Sequence, residues 1–316
     1  MGFSQRQMKE FDGSPTCVEL LVPILAELYE QTGWTKDDID FFCSGSSDYL
    51  AGRSFSFVSA VDAIGVIPPV MESHVEMDAA WALYEAWVKI QTGHVDAALV
   101  YGFGKASAGI LRKTMTLQLD PYTVTPLWPD SVSLAGLQAR LGLESGVWDE
   151  QAMAEVVARS MTDAVGNEWA IRKGETGIDD VLSQPMYADP LRRWDCAPVS
   201  DGAAGMVIAA TGKAESAQNG AAWITGFEHR IEPIALTSRE LTVSASTEAA
   251  GAAASADGVD LAELHAPFSH QELILRAALG LDDDVRINPS GGALTANPMF
   301  TAGLNRIGEA AKRVWS

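Results

Sequence analysis

Apolar residues in the first third of the chain alternate between helical and strand-like spacing. Residues 18–33 (VELLVPILAELYEQTG) place apolar side chains three and four positions apart and stop at a glycine, which predicts an amphipathic helix. Residues 38–47 (DIDFFCSGSS) and 94–104 (HVDAALVYGFG) are short apolar runs that end in glycine or serine, which predicts two buried strands. Residues 54–65 and 72–90 predict the helices between them. This order indicates a βαβ unit and a mostly parallel sheet.

The pattern changes in the remainder of the chain. Residues 108–185 are rich in Met, Trp, Leu and Arg at irregular spacing, which favours a largely helical insertion lying over the sheet. Residues 195–211 return to a loop and a buried strand, and residues 219–230 start another strand. Residues 258–280 predict a strand, a tight turn and a helix, and residues 282–315 predict a loop with a glycine pair and a final helix.

Charge and cysteine content exclude several classes of function. The formal net charge of −20 argues against binding to nucleic acid or to an anionic membrane surface. The three cysteines have no metal-ligand spacing, so we expect no metal site, and their small number fits a reducing, cytoplasmic compartment. The N-terminal residues lack the apolar run of a signal peptide, and no apolar stretch has the length of a membrane span.

The helix predicted at 72–90 begins with acidic residues where many enzymes place a nucleophile. Glu76, Met77 and Asp78 precede a segment that is apolar nearly all round, so the pattern predicts a buried helix. The N-terminus of such a helix favours negative charge and lowers the pKa of a cysteine placed there. This turn carries carboxylates and no Cys or Ser. The site has therefore either lost the chemistry of a nucleophile or supports a different reaction.

Two segments in the last third of the chain carry candidate ligand-binding groups. His265 ends an apolar strand before a turn and a helix, and strand ends in α/β sheets are where ligands bind. Asn288, Ser290, Gly291 and Gly292 form a loop whose glycines allow positive φ, so bare backbone N–H groups there can hold an oxyanion or a thioester oxygen. The alternatives are a histidine satisfied by local hydrogen bonds and an ordinary glycine-rich turn.

The other reactive side chains are expected to be structural. Cys43 lies at the end of a predicted buried strand and is interpreted as a small core residue. Cys17 and Cys196 have no flanking base. His270 is interpreted as a surface or helix-capping residue.

Four segments in fixed order resemble the thiolase superfamily, and most closely its sterol-carrier-protein type, also called lipid-transfer proteins. They are VYGFGKAS, PVSDGAAGMVIA, ELHAPFSHQELI and NPSGGAL. The resemblance implies two related α/β halves, each with a five-stranded mixed sheet, in a layered α-β-α-β-α fold that dimerises through the first half. It divides the chain into a first half (1–107 and 186–215), an inserted helical loop domain (108–185) and a second half (216–316).

Departures from the family pattern bear on the chemistry. Glu76 occupies the position of the nucleophilic cysteine, and Asn297 replaces the histidine of a Gly-His-Pro motif. Phe300 stands where the family has a glycine, whereas His265 matches the histidine that lines the first oxyanion hole in the sterol-carrier type. Residues 1–5 are typical of the exit of a first strand, and no segment resembles the hairpin with the second catalytic cysteine. We therefore expect either trimmed ends or an edge supplied by another chain.

These features leave two functions open. The resemblance implies an acyl-CoA substrate and possible retro-aldol cleavage of a β-hydroxyacyl-CoA, such as a steroid side-chain thioester in lipid degradation, with a small zinc-ribbon/OB-fold partner. In that case Glu76 or Asp78 is the candidate base, with Asn297 and His265 beside the substrate. The alternative is a catalytically inactive subunit that serves as a scaffold or acyl-CoA binder, as a homodimer or beside a thiolase-like paralogue. Coenzyme A is expected only as part of the substrate, with no tightly bound cofactor.

Overall fold

Helices and strands alternate through the chain, as the hydrophobic pattern predicts. A computed structural model describes residues 2–9, 13, 15–48, 54–65, 67–217, 220–233, 235–256 and 258–315. The elements in chain order are β1 (Phe3–Met8), α1 (Cys17–Thr32), β2 (Phe41–Gly45), α2 (Ser56–Ile64), β3 (Glu72–Val75), α3 (Ala79–Gln91), β4 (Ala97–Lys105), α4 (Leu111–Leu117), α5 (Ser131–Ser145), α6 (Glu150–Asp163), α7 (Ile178–Leu182), β5 (Met186–Ala188), β6 (Leu191–Arg192), β7 (Val199–Ala209), α8 (Thr211–Ala214), α9 (Ala245–Ala253), β8 (Leu261–Ala262), α10 (Ser269–Leu279), β9 (Arg286–Ile287), β10 (Asn297–Pro298) and α11 (Ala302–Trp315).

These elements group into two compact units. The first unit contains residues 1–108, 199–223 and 297–316, and the second unit contains residues 109–198 and 224–296. The division of the chain into two halves and an inserted domain stays a prediction.

The first unit is built on a mixed sheet with the strand order β3-β2-β4-β7-β1. β2 pairs in parallel with β4, as the predicted βαβ unit requires. The helix predicted from residue 72 is wrong at its start, because Glu72–Val75 form β3, which also pairs in parallel with β2. β7 runs antiparallel to β4 and β1, and β10 pairs in parallel with the start of β7. The sheet is therefore mixed, as the family resemblance implies, rather than mostly parallel. β1 pairs with β7 over all six residues Phe3–Met8, so a full strand stands where the sequence predicted only a strand's exit.

Helix α1 supplies one side of the core of this unit. It begins with a capping box at Thr16 and ends at Gly33 with a φ of 71°, which confirms the predicted helix and its end. Its buried residues Leu21, Ile24 and Leu28 pack in one cluster with residues of β4 and β7. Each fully buried leucine or isoleucine contributes about 1.5–3 kcal/mol to stability.

Helix α3 is less buried than its apolar sequence predicts. One face is buried through Ala79, Ala82, Leu83, Ala86 and Ile90, whereas Met77 just before it and Val88 within it are exposed. The small residues on the buried face let the helix approach the sheet closely. At Gly45 a Cβ atom would lie only 2.5 Å from the backbone nitrogen of Ala79. Glycine at the end of β2 therefore sets how close the first turn of α3 can come.

The second unit is mainly helical and contains short strand pairs. Helices α4 to α7 confirm the helical character predicted for residues 108–185. β5 pairs with β6, and β8 pairs in parallel with β9. Residues 258–280 form the predicted strand, turn and helix, as β8 and α10. The family resemblance implies a five-stranded sheet in each half, whereas the described residues of this unit form only the strand pairs β5–β6 and β8–β9.

The strand predicted at residues 219–230 is wrong for the part that the structure describes. Residues 220–233 contain neither helix nor strand, and the apolar side chain of Trp223 is 59% exposed. A strand needs a neighbour for its backbone N–H and C=O groups. Among the described residues no strand pairs with this segment, so its apolar pattern alone does not order it as a strand.

The described residues contain neither a helix suited to cross a membrane nor a cluster suited to hold a metal ion. No helix there combines the length and the apolar character needed to cross a bilayer. No group of three or more His, Cys, Asp or Glu side chains in the described ranges is placed to hold a metal ion.

Candidate active site

The turn between β3 and α3 carries the carboxylate at the predicted nucleophile position. The side chain of Glu76 is 51% exposed, and its Oε1 accepts a hydrogen bond from the backbone N–H of Asp48 at 2.7 Å. Its Oε2 lies 3.4 Å from Nε2 of His74. Since β2 and β3 are parallel, their carboxyl ends meet at one edge of the sheet, and this brings the loop after β2 to the loop after β3. Glu76 is thus held at both oxygens and still faces solvent.

The loop after β2 is fixed by a second carboxylate. Asp48 accepts hydrogen bonds from the backbone N–H groups of Phe55 at 2.6 Å and Ser56 at 2.8 Å, next to the start of α2. These hydrogen bonds, first the one from Ser56, lower the pKa of Asp48. The N–H group that Asp48 offers to Glu76 therefore belongs to an anchored segment.

Asp78 caps two helices of the first unit. Its Oδ1 accepts the N–H of Ala80 at 2.9 Å, at the start of α3, and the N–H of Leu304 at 3.2 Å, in the first turn of α11. Its Oδ2 accepts the N–H of Gly303 at 3.1 Å. Three backbone hydrogen bonds use most of the acceptor sites of a carboxylate. Asp78 therefore has a capping role. Of the two carboxylates in this turn, Glu76 is the better placed to accept a proton from a ligand.

Asn297 and Phe300 lie in the segment that leads into α11. The backbone N–H of Asn297 donates to Oγ of Ser200 at 2.9 Å, which ties β10 to the start of β7. Phe300 has a φ of 67°, and its carbonyl oxygen accepts the N–H of Ala79 at 2.9 Å. A positive φ is unfavourable for a residue as bulky as Phe, which explains why a glycine suits this position in the family.

In the second unit, His265 lies between β8 and α10. Its side chain is exposed, whereas the neighbouring residues Leu264 and Ala266 are buried. Asn288 fixes this stretch, because its Oδ1 accepts the backbone N–H of Leu264 at 2.6 Å. Its Nδ2 donates to Oε2 of the buried Glu272 at 2.8 Å. Asn288 is itself buried, so its contacts support the backbone that presents His265.

The glycine pair has the backbone conformation that the sequence predicts, but its N–H groups are occupied. Gly291 and Gly292 have φ values of 93° and 64°. The N–H of Ser290 donates to Glu263 at 2.9 Å, and the N–H of Gly291 donates to the carbonyl oxygen of Asn288 at 2.8 Å. The N–H of Gly292 lies 3.3 Å from Oγ of Ser290. The donors that the sequence suggested were bare therefore have partners within the second unit.

Comparisons with known proteins show what the chain is similar to. No family model matches the chain. The acetyl-CoA acetyltransferase of Methanocaldococcus jannaschii is 27% identical over 327 residues, which cover 92% of this chain and 83% of that protein. Human sterol carrier protein 2 is 26% identical over 271 residues, which cover 72% of this chain and 49% of that protein. A solved structure described as the Ltp2-ChsH2(DUF35) aldolase matches with a TM-score of 0.75 and 16% identity, over 98% of this chain and 87% of that chain. The chain is thiolase-like in both its sequence and its fold.

Among thiolase-like proteins, the chain resembles the sterol-carrier-protein type. The match to the solved structure establishes the thiolase fold, and the sequence matches extend through most of the chain. The chain spans about half the length of two of the curated relatives, 49% of the human protein and 54% of a second archaeal acetyltransferase.

This thiolase-like chain has no reactive cysteine. All three cysteines are buried, with exposed fractions of 8% for Cys17, 0% for Cys43 and 5% for Cys196. Burial raises the pKa of the Cys43 thiol far above its usual range and that of Cys196 to about 12. A buried thiol is a poor acyl carrier, so none of the three cysteines is placed to support thiolysis.

One histidine of this thiolase-like chain differs from the sequence interpretation. His270 was expected at the surface but is fully buried on α10, between the rings of Trp148 and Phe268. Its Nε2 lies 3.1 Å from Oε1 of Gln138, and burial lowers its pKa to about 4. The spacing of His270 relative to the apolar residues that follow it, three, four and seven positions on, could have placed it on the buried face.

His74 had no assigned role in the sequence. Strand register pairs it with Ser44 on β2, and its ring stacks on Phe57 with centroids 4.5 Å apart. Its proximity to Ser44 follows only from the pairing of β2 with β3, whereas its proximity to Glu76 follows from their separation of two residues.

Proposed function

We propose that this chain acts on acyl-CoA thioesters without a covalent acyl-enzyme intermediate, and that it cleaves a β-hydroxyacyl-CoA by a retro-aldol reaction. The observation that carries the proposal is the Glu76 carboxylate, which is half exposed and hydrogen-bonded through Oε1 at the position of the family's nucleophile. A carboxylate is a poor acyl carrier but a suitable general base.

In the proposed reaction, Glu76 takes the proton of the β-hydroxyl group. The bond between the α and β carbons breaks, its electron pair moves to the α carbon, and the β carbon becomes a carbonyl group. The resulting thioester enolate is then protonated at the α carbon to give a shorter acyl-CoA. The family resemblance assigns His265 to the thioester oxygen, where a hydrogen-bond donor stabilises the enolate. No oxidant or reductant is needed.

The comparisons support this direction of chemistry. One solved structure of the same fold is described as an aldolase formed by two proteins, and several sequence relatives are sterol carrier proteins. We therefore propose a bulky lipid thioester, such as a steroid side chain, as substrate, and a small zinc-ribbon/OB-fold protein as partner. A dimer of this chain, or a heterodimer with a paralogue, and a cytoplasmic location are part of the same proposal.

The test separates enolate formation from carbon–carbon cleavage. The purified protein, with any partner that co-purifies, is incubated with propionyl-CoA in D₂O, and deuterium at the α carbon is measured by mass spectrometry. Cleavage of a β-hydroxyacyl-CoA is then followed by product analysis. We expect Glu76→Gln to lower the cleavage rate by about 100- to 10,000-fold, as the loss of a general base does. His265→Ala should lose most of both activities.

His94 offers a matched control, since it is an exposed histidine in the turn before β4. His94→Ala should leave both rates unchanged. Normal turnover in His265→Ala would remove that histidine from the mechanism. Absence of both exchange and cleavage, with every co-purified partner present, would contradict the proposed reaction.

A second candidate function is a catalytically inactive subunit that binds acyl-CoA or serves as a scaffold. The occupied N–H groups of Ser290, Gly291 and Gly292 favour it, because these three donors are then not available to an oxyanion. In that case acyl-CoA should bind in calorimetry without turnover, and a thiolase-like paralogue should co-purify. Turnover by this chain with its paralogue removed would exclude it.

A further inference from the structure

Polar side chains form a continuous row across three parallel strands of the first unit. Strand register places Tyr101 of β4 beside Ser44 of β2, and Ser44 beside His74 of β3. Residues opposite each other on neighbouring strands point to the same face, so three polar side chains meet on one face of the sheet. The row ends at Glu76, one residue beyond β3. We call Tyr101, Ser44, His74 and Glu76 the polar row.

Distances and burial define the hydrogen bonds of the polar row. Oγ of Ser44 lies 3.0 Å from Nδ1 of His74, and Nε2 of His74 lies 3.4 Å from Oε2 of Glu76. Tyr101 hydrogen-bonds Ser44, and both residues are almost completely inaccessible to solvent. Exposure rises along the row, from 1% for Tyr101 to 13% for the His74 side chain and 51% for that of Glu76. The row therefore connects the interior of the sheet to a solvent-facing carboxylate.

The chemistry of the end groups fixes the direction of these bonds. An ionised carboxylate has no proton to donate, so Nε2 of a neutral His74 must carry the proton that faces Glu76. Nδ1 is then an acceptor, and the hydroxyl of Ser44 donates to it. The hydroxyl of Tyr101 in turn donates to Oγ of Ser44. The stacked ring of Phe57, inclined by 12° to the imidazole, holds the plane of His74.

We propose that His74 is a positioning residue for Glu76, and that the polar row selects Oε2 as the oxygen that accepts the substrate proton. This inference rests on the proposed role of Glu76 as a base. Oε1 is tied to the backbone of Asp48 at 2.7 Å, whereas among the described residues Oε2 has only the longer contact of 3.4 Å to His74. Oε2 is the less tightly held oxygen, and the N–H of His74 fixes its orientation toward the ligand.

Kinetics of two substitutions at His74 test the positioning role. In His74→Leu the carboxylate loses its only side-chain donor in the row, so kcat should fall by about 100-fold, the size of effect that a misplacement of about 1 Å produces. KM should stay within about twofold. In His74→Gln the amide can still donate to Glu76, so kcat should recover to within about fivefold of the original rate. His94→Leu, at the exposed histidine, should change neither constant. Unchanged kcat in His74→Leu, or equal losses in both His74 variants, would overturn the proposal.

A spectroscopic measurement tests the polar row independently of turnover. In protein labelled with ¹⁵N-histidine, the signals of His74 are assigned by their loss in His74→Gln. We expect one neutral tautomer, with the proton on Nε2, an unprotonated Nδ1, and an Nε2 proton that remains visible in water. Ser44→Ala should disturb this tautomer, whereas His94→Leu should not. A proton on Nδ1 instead would contradict the proposed hydrogen-bond directions in the polar row, even if the protein is active. If the unaltered protein forms no enolate, the proposed function fails, and this measurement still decides the row.

Discussion

Removal of the Asp78 carboxylate should loosen two helices at once. In Asp78→Ala, the N–H of Ala80 at the start of α3 loses its acceptor, and so do the N–H groups of Gly303 and Leu304 in α11. Loss of a helix N-cap costs about 1 kcal/mol. Each of the two further orphaned N–H groups adds about 1 kcal/mol, so the total is about 3 kcal/mol. Asp78→Asn keeps Oδ1 and loses only the acceptor of Gly303, and should cost about 1 kcal/mol.

Urea unfolding gives the size of this effect, and hydrogen exchange measured by mass spectrometry gives its location. Peptides from the first turns of both α3 and α11 should exchange faster in Asp78→Ala. Asp149→Ala is the matched control, because Asp149 caps only α6 through the N–H of Ala152 at 2.7 Å. Its expected cost is about 1 kcal/mol, confined to one helix. If Asp78→Ala costs no more than Asp149→Ala, or if α11 keeps its protection, the double capping role is wrong.

Three further predictions follow from burial. Burial lowers the pKa of His270 from its ordinary value of 6.5 to about 4, so between these two values the unfolded chain binds more protons than the folded chain. The free energy of unfolding should therefore fall by on the order of 3 kcal/mol as the pH falls from 6.5 to 4. The urea midpoints of His270→Gln should show a flatter pH dependence. The three buried cysteines should react with a thiol reagent only after urea is added. Fast labelling of the folded protein would contradict the conclusion that no cysteine is placed to act as an acyl carrier. Gly45→Ala, whose Cβ would lie 2.5 Å from the nitrogen of Ala79, should cost about 1–3 kcal/mol and should slow turnover, whereas Gly109→Ala, with open space around it, should be neutral.

Regular elements with a strong hydrophobic period were predicted correctly. The end of α1 at Gly33, the buried strand β4 and the helix after His265 follow from local patterns, because each satisfies its backbone groups within one segment or beside a near neighbour. The segment 220–233 shows the limit of such reasoning. Its apolar residues suit a strand, but a strand also depends on a distant partner that the local sequence does not specify.

The candidate site was predicted in part. Its position before α3 and the missing cysteine could be read from the sequence, because the helix pattern and the residue types are local. The different roles of Glu76 and Asp78 could not be read from the sequence. Asp78 accepts a hydrogen bond from the N–H of Gly303, which is 225 positions away in the chain. The contact of His74 with Ser44 has the same origin, because it depends on the register of β2 and β3. Whether His265, Asn297 and the loop at Ser290 take part in catalysis stays a prediction.

The double cap also changes which ligands the turn favours electrostatically. The exposed N–H groups at a helix start form the positive end of the helix macrodipole, and they attract anions. Here one internal carboxylate neutralises that end for two helices of the first unit, and a second carboxylate, Glu76, faces solvent beside it. The local field is therefore negative where a cysteine enzyme would keep it positive to stabilise a thiolate. Such a field repels an oxyanion and attracts a group that still carries its proton, so this turn should recognise the hydroxyl end of a substrate rather than its developing negative charge.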